Sequence, residues 1–225
     1  MSRSEQNSRL RRELSKSRIE AYSDGVFSIV ATLLVLEVRL PRPVQEILKS
    51  SDPSAEMLTA ILHSWPHILG YILSFLTITI WWITHHHLFH VIQRLDRTAL
   101  WLNSIFLMFL AILPFPTALL EAAPQNSVAV CFYGLAMVPI GLSIVLLRWY
   151  ATVHKRLADP QISPELYASA LKKGLLSPVL YLVAALLGYV VPLIGVTGYV
   201  LIAGYYVLPS ALERKAVGNA RAADS

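Results

Sequence analysis

Six long apolar stretches constrain what this chain of 225 residues can fold into more than any other feature of its sequence. Each is close to the ~20 residues that a helix needs to cross the ~30 Å hydrocarbon layer of a bilayer. Because an open sheet in lipid would leave backbone polar groups unpaired, all six are predicted to be helices. The predicted spans are residues 19–38, 64–84, 99–120, 127–147, 166–188 and 191–212. The predicted fold class is therefore all-α, a polytopic membrane protein with six transmembrane helices.

The distribution of charge supports a membrane setting and predicts an orientation. Only 15% of the residues are charged, whereas soluble domains carry about 25%. The net charge of +5 does not indicate a nucleic-acid partner, because most Lys and Arg residues border the predicted spans. Nearly all of them lie before the first span, after the second and fourth, and in the tail, while the opposite side has only Arg39, Arg42 and Lys49. The positive-inside rule then predicts that both termini are cytoplasmic.

The predicted organisation is a single membrane domain with short ends. Residues 1–17 form a cytoplasmic arm, residues 18–212 the six-helix domain and residues 213–225 a cytoplasmic tail. A short turn near Pro192 is predicted to separate the last two spans, and the alternative is one long kinked span. Cys131 is the only cysteine, which excludes an internal disulfide and a cysteine-based metal cluster. The sequence contains no internal repeat, so a symmetric pore would need several copies of the chain.

The first span carries polar residues at a depth where they are costly unless they face protein or water. Positions four apart share a helix face, which predicts a polar file beside an apolar stripe. The file is Asp24, Ser28 and Thr32, and the stripe is Ile29, Leu33 and Leu36. Around an axis, apolar rings can stop ions by dewetting while nearby hydroxyls replace part of an ion's water. Alternatively, the hydroxyls bond to carbonyls of their own helix and the apolar side chains meet lipid or neighbouring helices.

Arg18 and Asp24 each need a partner from another element. They are six positions apart, about 240° around a helix, so they do not face each other. The best source of partners is the end of the second span, which carries His85, His86 and His87. An Arg–Asp–His network there would satisfy the charges, either as a purely structural device or as one that responds to pH.

The histidines do not predict a metal site. Adjacent residues on a helix point ~100° apart, so three consecutive histidines cannot bind one ion together. His86 and His90, like His63 and His67, have the spacing of zinc ligands, but no carboxylate or thiolate nearby in sequence completes a set.

Two motifs carry a family resemblance. The segment RIEAYSDGVFSI, from Arg18 to Ile29, resembles the signature at the start of the transmembrane protein 175 family of endosomal and lysosomal potassium channels. The run WWITHHHLF, which begins at Trp81, is similar to the family's pattern at the end of the second span. The chain departs from the pattern at Tyr22, where Phe is usual, and at Thr84, where Asn is expected.

The resemblance implies a potassium-permeable channel in which four six-helix chains assemble and the first helices line the pore. It places the main constriction at Ile29 and further apolar layers at Leu33 and Leu36, with the hydroxyls of Ser28 and Thr32 associated with them. It also implies a packing network that holds the first helix in place. The members of that network are Arg18, Ser23, Asp24 and the second-span histidines His85, His86 and His87.

The resulting hypothesis is a homotetrameric, potassium-preferring channel of a bacterial inner membrane. It would conduct passively, without enzymatic activity or cofactor, and its partners would be potassium ions, the lipid bilayer and copies of itself. Glu37, at the outer end of the first span, would concentrate cations at the mouth. The alternatives are a proton-coupled transporter that uses Asp24 and Glu37, and a histidine-based metal or redox protein of the membrane.

Overall fold

The computed structural model describes residues 3–38, 40, 42–154, 157, 158 and 164–208, and these residues form a helical bundle. Within this part of the chain, the only strand-like pairing is an isolated bridge between Ile92 and Ala158. The helices in chain order are α1 (Arg3–Leu33), α2 (Val44–Ile47), α3 (Pro53–His63), α4 (Trp65–Val91), α5 (Arg97–Ala111), α6 (Pro114–Ala122), α7 (Ser127–Trp149), α8 (Pro164–Val190) and α9 (Pro192–Val207). A 3-10 turn, Leu34–Glu37, extends α1, and a π-helical turn, Tyr150–His154, extends α7.

Over the described residues, the six predicted spans are confirmed as helical, with changes at their ends. Residues 209–212 of the last span lie outside the described residues. Five helical runs are long and apolar enough to cross a membrane, and α9 is a shorter apolar helix. Its 16 residues rise about 24 Å, somewhat less than the hydrocarbon thickness. α1 begins at Arg3, inside the predicted arm, so the first span continues a helix that starts well before it. The predicted tail lies outside the described residues.

The third span is interrupted. α5 ends at Ala111 and α6 begins at Pro114, so the span predicted over residues 99–120 consists of two consecutive helices. A proline has no N–H to donate, and its ring clashes with the carbonyl four residues earlier, which ends the preceding helix. The same residue suits the first turn of a new helix, where no N–H partner is needed.

α7 forms the centre of the bundle and packs against α5, α6, α8 and α9. Its residues Tyr133, Met137 and Leu147 are completely buried. α1 lies at the edge instead, with its main contacts to α4 and α5, and its 3-10 turn reaches α4 and α6. A large part of the α1 surface is therefore left uncovered within one protomer.

α8 and α9 form a tight hairpin, which confirms the turn predicted near Pro192. Val191 has an extended backbone, and Pro192 starts α9. The two helices meet where Gly195 faces Gly188, since a Cβ on Gly195 would lie 2.6 Å from the Gly188 Cα. The Tyr199 hydroxyl donates a 2.7 Å hydrogen bond to the Val130 carbonyl and so attaches the hairpin to α7.

We expect Gly195→Ala to lower the melting temperature of the purified protein. The new Cβ would collide with the backbone of α8, and such overpacking costs about 1–3 kcal/mol. Gly204→Ala is the matched control on the same helix, because no atom lies within 4 Å of a Cβ placed there. Equal melting temperatures for the two variants would contradict the close approach of α8 and α9.

Candidate functional site

One face of α1 is anchored in the bundle. Ser23, Phe27, Val30 and Leu34 are spaced by one helical turn and are at most 3% exposed. The Phe27 ring lies 6.0 Å from the Phe106 ring of α5, measured between centroids. Since the stripe is buried against α4, α5 and α6, it sets the rotation of α1 about its own axis.

The opposite face of α1 carries the predicted constriction residues. Ile29 is 60% exposed, Leu33 41% and Leu36 67% in the protomer. Their spacing of four and three places all three on one line along the helix. Because the other face of α1 is anchored, these three side chains point outward together. They must therefore contact lipid, another subunit or a pore.

The hydroxyls of Ser28 and Thr32 lie on the exposed side and bond to their own helix, as the alternative for this pattern predicted. Ser28 Oγ donates to the Asp24 carbonyl at 2.8 Å. Thr32 Oγ1 lies 3.0 Å from the Ser28 carbonyl and 2.9 Å from the Ile29 carbonyl. Each hydroxyl proton is thus held by the backbone, which leaves the oxygen lone pairs available to an electropositive ligand.

A buried chain of hydrogen bonds links α4, α5 and α1. Asn103 accepts from His85 Nε2 at 2.8 Å through its Oδ1 atom, and its Nδ2 atom donates to Ser23 Oγ at 3.0 Å. Ser23 Oγ donates in turn to the Ile19 carbonyl at 2.9 Å. This order of donors requires the proton on Nε2 of His85. All bonds then point the same way, an arrangement in which each bond polarises the next.

Aromatic rings enclose the His85 end of this chain. The His85 ring stacks on Phe89 at 4.2 Å and on Phe106 at 5.7 Å, and Phe27 meets its edge at 5.5 Å. His85, Asn103 and Ser23 are each at most 2% exposed. Because water cannot replace these hydrogen bonds, losing one leaves a buried polar group unpaired.

Asp24 belongs to a separate contact. Its Oδ1 atom accepts a 2.9 Å hydrogen bond from the indole of Trp82, and His86 stacks on that indole at 5.5 Å. His87 lies beyond, with its ring 6.3 Å from that of His86. Arg18 is exposed and takes part in neither contact within the described residues. The structure thus brings Ser23 and His85 together and pairs Asp24 with a tryptophan instead of a histidine.

Sequence reasoning missed Asn103. A lone amide among apolar residues of a membrane helix is the signal that can reveal such a partner, because a polar group at that depth requires one. The missing information was which helix would face it, since Asn103 bridges side chains from two other helices.

A second missed residue lies at the opposite end of the bundle from His85. Glu121 is 9% exposed, and neither carboxylate oxygen has a hydrogen-bond partner among the described residues. Its side chain lies against Gly70, where a Cβ would be 2.5 Å from the Glu121 Cγ. Glu37 is partly buried in the 3-10 turn and interacts electrostatically with Glu121. The candidate mouth residue therefore has a carboxylate neighbour that the sequence did not reveal.

The adjacent histidines point in different directions, as helix geometry predicted. His85 lies in the aromatic core, whereas His86 stacks on Trp82 at the surface. Across the described residues, no group of three or more His, Cys, Asp or Glu side chains is placed to hold a metal ion.

Comparison with known proteins points to one family. The family model described as endosomal/lysosomal potassium channel TMEM175 matches residues 18–114, which include the second half of α1 and all of α2, α3, α4 and α5. A potassium channel of Chamaesiphon minutus is 35% identical over 199 residues, which cover 86% of this chain and 94% of the relative. The chain belongs to the TMEM175 family. A potassium channel of Streptomyces collinus is 36% identical over 149 residues, or 64% of this chain and 68% of that channel.

The bundle also matches a solved TMEM175 structure. The crystal structure of a lysosomal potassium-selective channel TMEM175 homolog from Chamaesiphon minutus has a TM-score of 0.73 and 30% sequence identity. The match covers 86% of this chain and 96% of that one. The human relative, named endosomal/lysosomal proton channel TMEM175, is 38% identical over 110 residues, which is 47% of this chain but 21% of the human protein.

We expect Asn103→Leu to lower the melting temperature of this TMEM175 protein. The change removes both hydrogen bonds of the amide, so His85 Nε2 loses its acceptor and Ser23 Oγ keeps only its bond to the Ile19 carbonyl. A buried donor left unsatisfied costs about 1–3 kcal/mol. Ser104→Ala is the matched control, because Ser104 is exposed and bonds only to the Leu100 carbonyl of its own helix. If Asn103→Leu melted at the temperature of the control, the buried chain would not stabilise the bundle.

Proposed function

We propose that four copies of this chain form a potassium-preferring cation channel in a bacterial inner membrane, with α1 of each copy lining a central pore. Conduction is passive, and no catalytic residue or cofactor takes part. One observation carries the proposal: α1 is fixed on one face and presents Ile29, Leu33 and Leu36 uncovered on the other. A fourfold arrangement around that face covers the apolar line and turns it into successive rings.

The chemistry of this face suits a cation pathway. Two of the three apolar rings have a hydroxyl beside them, since Ser28 precedes Ile29 and Thr32 precedes Leu33. The protons of these hydroxyls are bound to the backbone, so their lone pairs are free to face an ion. Narrow apolar rings oppose hydrated ions, and adjacent oxygen atoms lower that barrier by replacing part of the ion's water.

The choice of potassium rests on the relatives. Two bacterial members of the family are named potassium channels, and the related crystal structure is described as a potassium-selective channel. The distribution of Lys and Arg favours cytoplasmic termini, which places Glu37 at the outer mouth, where its charge would attract cations. This arrangement needs no histidine-bound metal.

We expect Ile29→Asn to increase potassium flux and to reduce the preference for potassium over sodium. An amide at the narrowest ring replaces an apolar barrier with a group that binds water. The measurement is ion flux into liposomes that contain the purified variant. Leu186→Asn is the control, because Leu186 is 57% exposed on α8, away from the proposed pore. Unchanged flux and selectivity in Ile29→Asn would contradict the constriction.

The same liposomes distinguish a channel from a proton-coupled transporter. We expect the reversal potential of wild-type protein to follow an imposed potassium gradient and to stay constant when only the pH gradient changes. A passive potassium pathway responds to the electrochemical gradient of potassium alone. A reversal potential that moves with the pH gradient at fixed potassium would contradict passive potassium conduction and favour the transporter or proton-permeation alternatives.

We expect Asp24→Ala to reduce the yield of assembled tetramer more than it changes the conductance of the tetramers that form. The substitution removes the acceptor of the Trp82 indole N–H, which holds α1 against α4. Asp24→Asn is the matched control, because its amide oxygen can still accept that bond while the charge is removed. Size-exclusion chromatography with light scattering measures the tetramer. Normal assembly of Asp24→Ala would contradict this positioning role.

A further inference from the structure

An apolar groove lies between the two helices of the α8–α9 hairpin. All of its described lining residues belong to these helices, and its volume is about 620 Å³, within the ~300–1,000 Å³ that is usual for ligand sites. Ala184 and Ile202 form its floor and are each 6% exposed. Leu187, Leu193 and Leu201 form its walls and are at least 49% exposed. The groove is thus a recess in the surface and not a flat helix face.

The floor is formed where the two helices approach each other. A Cβ on Gly198 would lie 3.0 Å from the Cβ of Ala184, so small residues meet there. The described lining contains no charged residue, and its only polar side chains are those of Thr197 and Tyr205. Because the interior is almost entirely hydrocarbon, it suits an acyl chain better than a polar ligand.

The groove lies on the outer side of the hairpin, away from the proposed pore. The hairpin packs on α7 and α4, and the buried Tyr199 marks the side of α9 that faces this packing. Ile194, Leu201 and Tyr205 lie on another side of α9 and are at least 49% exposed. α1 has its main contacts with α4 and α5 instead. In a bilayer, the groove therefore meets lipid.

A cation lies beyond one end of the groove. Lys173 is seven positions before Leu180, the first lining residue of α8, so both lie on the same side of this helix. At the helical rise, Lys173 is about 10 Å beyond Leu180. It is exposed and has no ion pair within the described part of the chain. Glu165, the nearest described acidic residue of α8, lies about 12 Å further from the groove than Lys173.

The depth of Lys173 matches the headgroup layer of one leaflet. It lies about 26 Å along α8 from Val190, near the far boundary of a hydrocarbon layer that is ~30 Å thick. Long lysine side chains extend their ammonium group from such a position into the headgroup layer. Tyr205, at the same end of the groove, is 60% exposed, as is usual for tyrosines at this boundary. A phospholipid whose acyl chain fills the groove would thus place its phosphate near Lys173.

We propose that the groove binds one acyl chain of an anionic phospholipid, with the phosphate held by Lys173. The proposal rests on the proposed function only for the orientation, which places Lys173 in the cytoplasmic leaflet, where anionic lipids are found. A zwitterionic phospholipid offers the same acyl chain, but its own positive group weakens the attraction to Lys173. The preference for net negative charge is therefore the specific claim.

The test compares two lipids on the purified full-length protein by native mass spectrometry. Phosphatidylglycerol is the anionic probe, and phosphatidylcholine with the same acyl chains is the zwitterionic one. We expect wild-type protein to bind phosphatidylglycerol more tightly. Lys173→Gln should weaken this binding about fivefold, the contribution of one basic residue near an anionic surface, and should leave phosphatidylcholine binding unchanged. Thr197→Trp should weaken the binding of both lipids, because its indole fills the groove.

Two matched variants make the result specific to the groove. Lys172→Gln removes an exposed charge whose side chain points about 100° away around α8. Val200→Trp adds an indole at a residue of α9 that is 52% exposed and does not line the groove. Neither variant should change phosphatidylglycerol binding, and melting temperatures verify that all four variants are folded.

Two outcomes of these measurements would overturn the proposal. One is equal affinity of wild-type protein for the two lipids. The other is the same loss of phosphatidylglycerol binding in Lys172→Gln as in Lys173→Gln, which would indicate a general charge effect.

A density map of the protein in phosphatidylglycerol nanodiscs provides the direct observation. We expect elongated density that follows the groove and continues to the Lys173 ammonium group. A helix of another subunit in the groove, or a groove without density, would contradict the lipid site. Neither measurement records a current. A failure to conduct potassium would therefore leave the lipid site intact, and a failure to bind the lipid would leave the proposed channel intact.

Discussion

The orientation of α1 depends on the buried hydrogen-bond chain from His85 through Asn103 to Ser23. In lipid, the cost of unpaired polar groups disfavours any rotation of α1 that removes Ser23 from Asn103. The apolar stripe that includes Phe27 and Leu34 acts in the same direction, because it is buried on the same side of the helix. Polar specificity and apolar burial thus select one rotation, and that rotation exposes the face proposed to line the pore.

The other helices of the bundle hold α4 and α5 in position against α1. α7 occupies the centre and brings α5 into position against α1, while the α8–α9 hairpin packs on the far side of α7. Asp24 and Trp82 form a second attachment, which lies at the exposed edge of α1. α1 is therefore held on one side by a buried chain and beside it by a surface contact, and both contacts involve α4.

Much of the architecture was predictable from sequence, because helix formation in lipid follows from length and hydropathy alone. The periodicity of α1 also predicted the polar file and the apolar line, although it did not show that both lie on the exposed side of the helix. Asn103 and Glu121 were not predictable as partners, because their neighbours lie on other helices and depend on how the bundle packs. The contact of Asp24 with Trp82 instead of a histidine has the same origin. Trp82 lies one helical turn before His86 on the same side of α4, and the sequence alone does not show which of these side chains reaches Asp24.

The most direct test of the account is the accessibility of Leu36 in the assembled protein. In a Cys131→Ser background, Leu36→Cys places a thiol at the outer end of the exposed α1 line, and Leu193→Cys places one on the similarly exposed start of α9. Potassium current through reconstituted protein is recorded before and after a charged, membrane-impermeant thiol reagent is added. If α1 lines the pore, the reagent blocks the current of Leu36→Cys and leaves that of Leu193→Cys unchanged. An unaffected current in Leu36→Cys, despite complete modification of its thiol, would contradict a pore lined by α1.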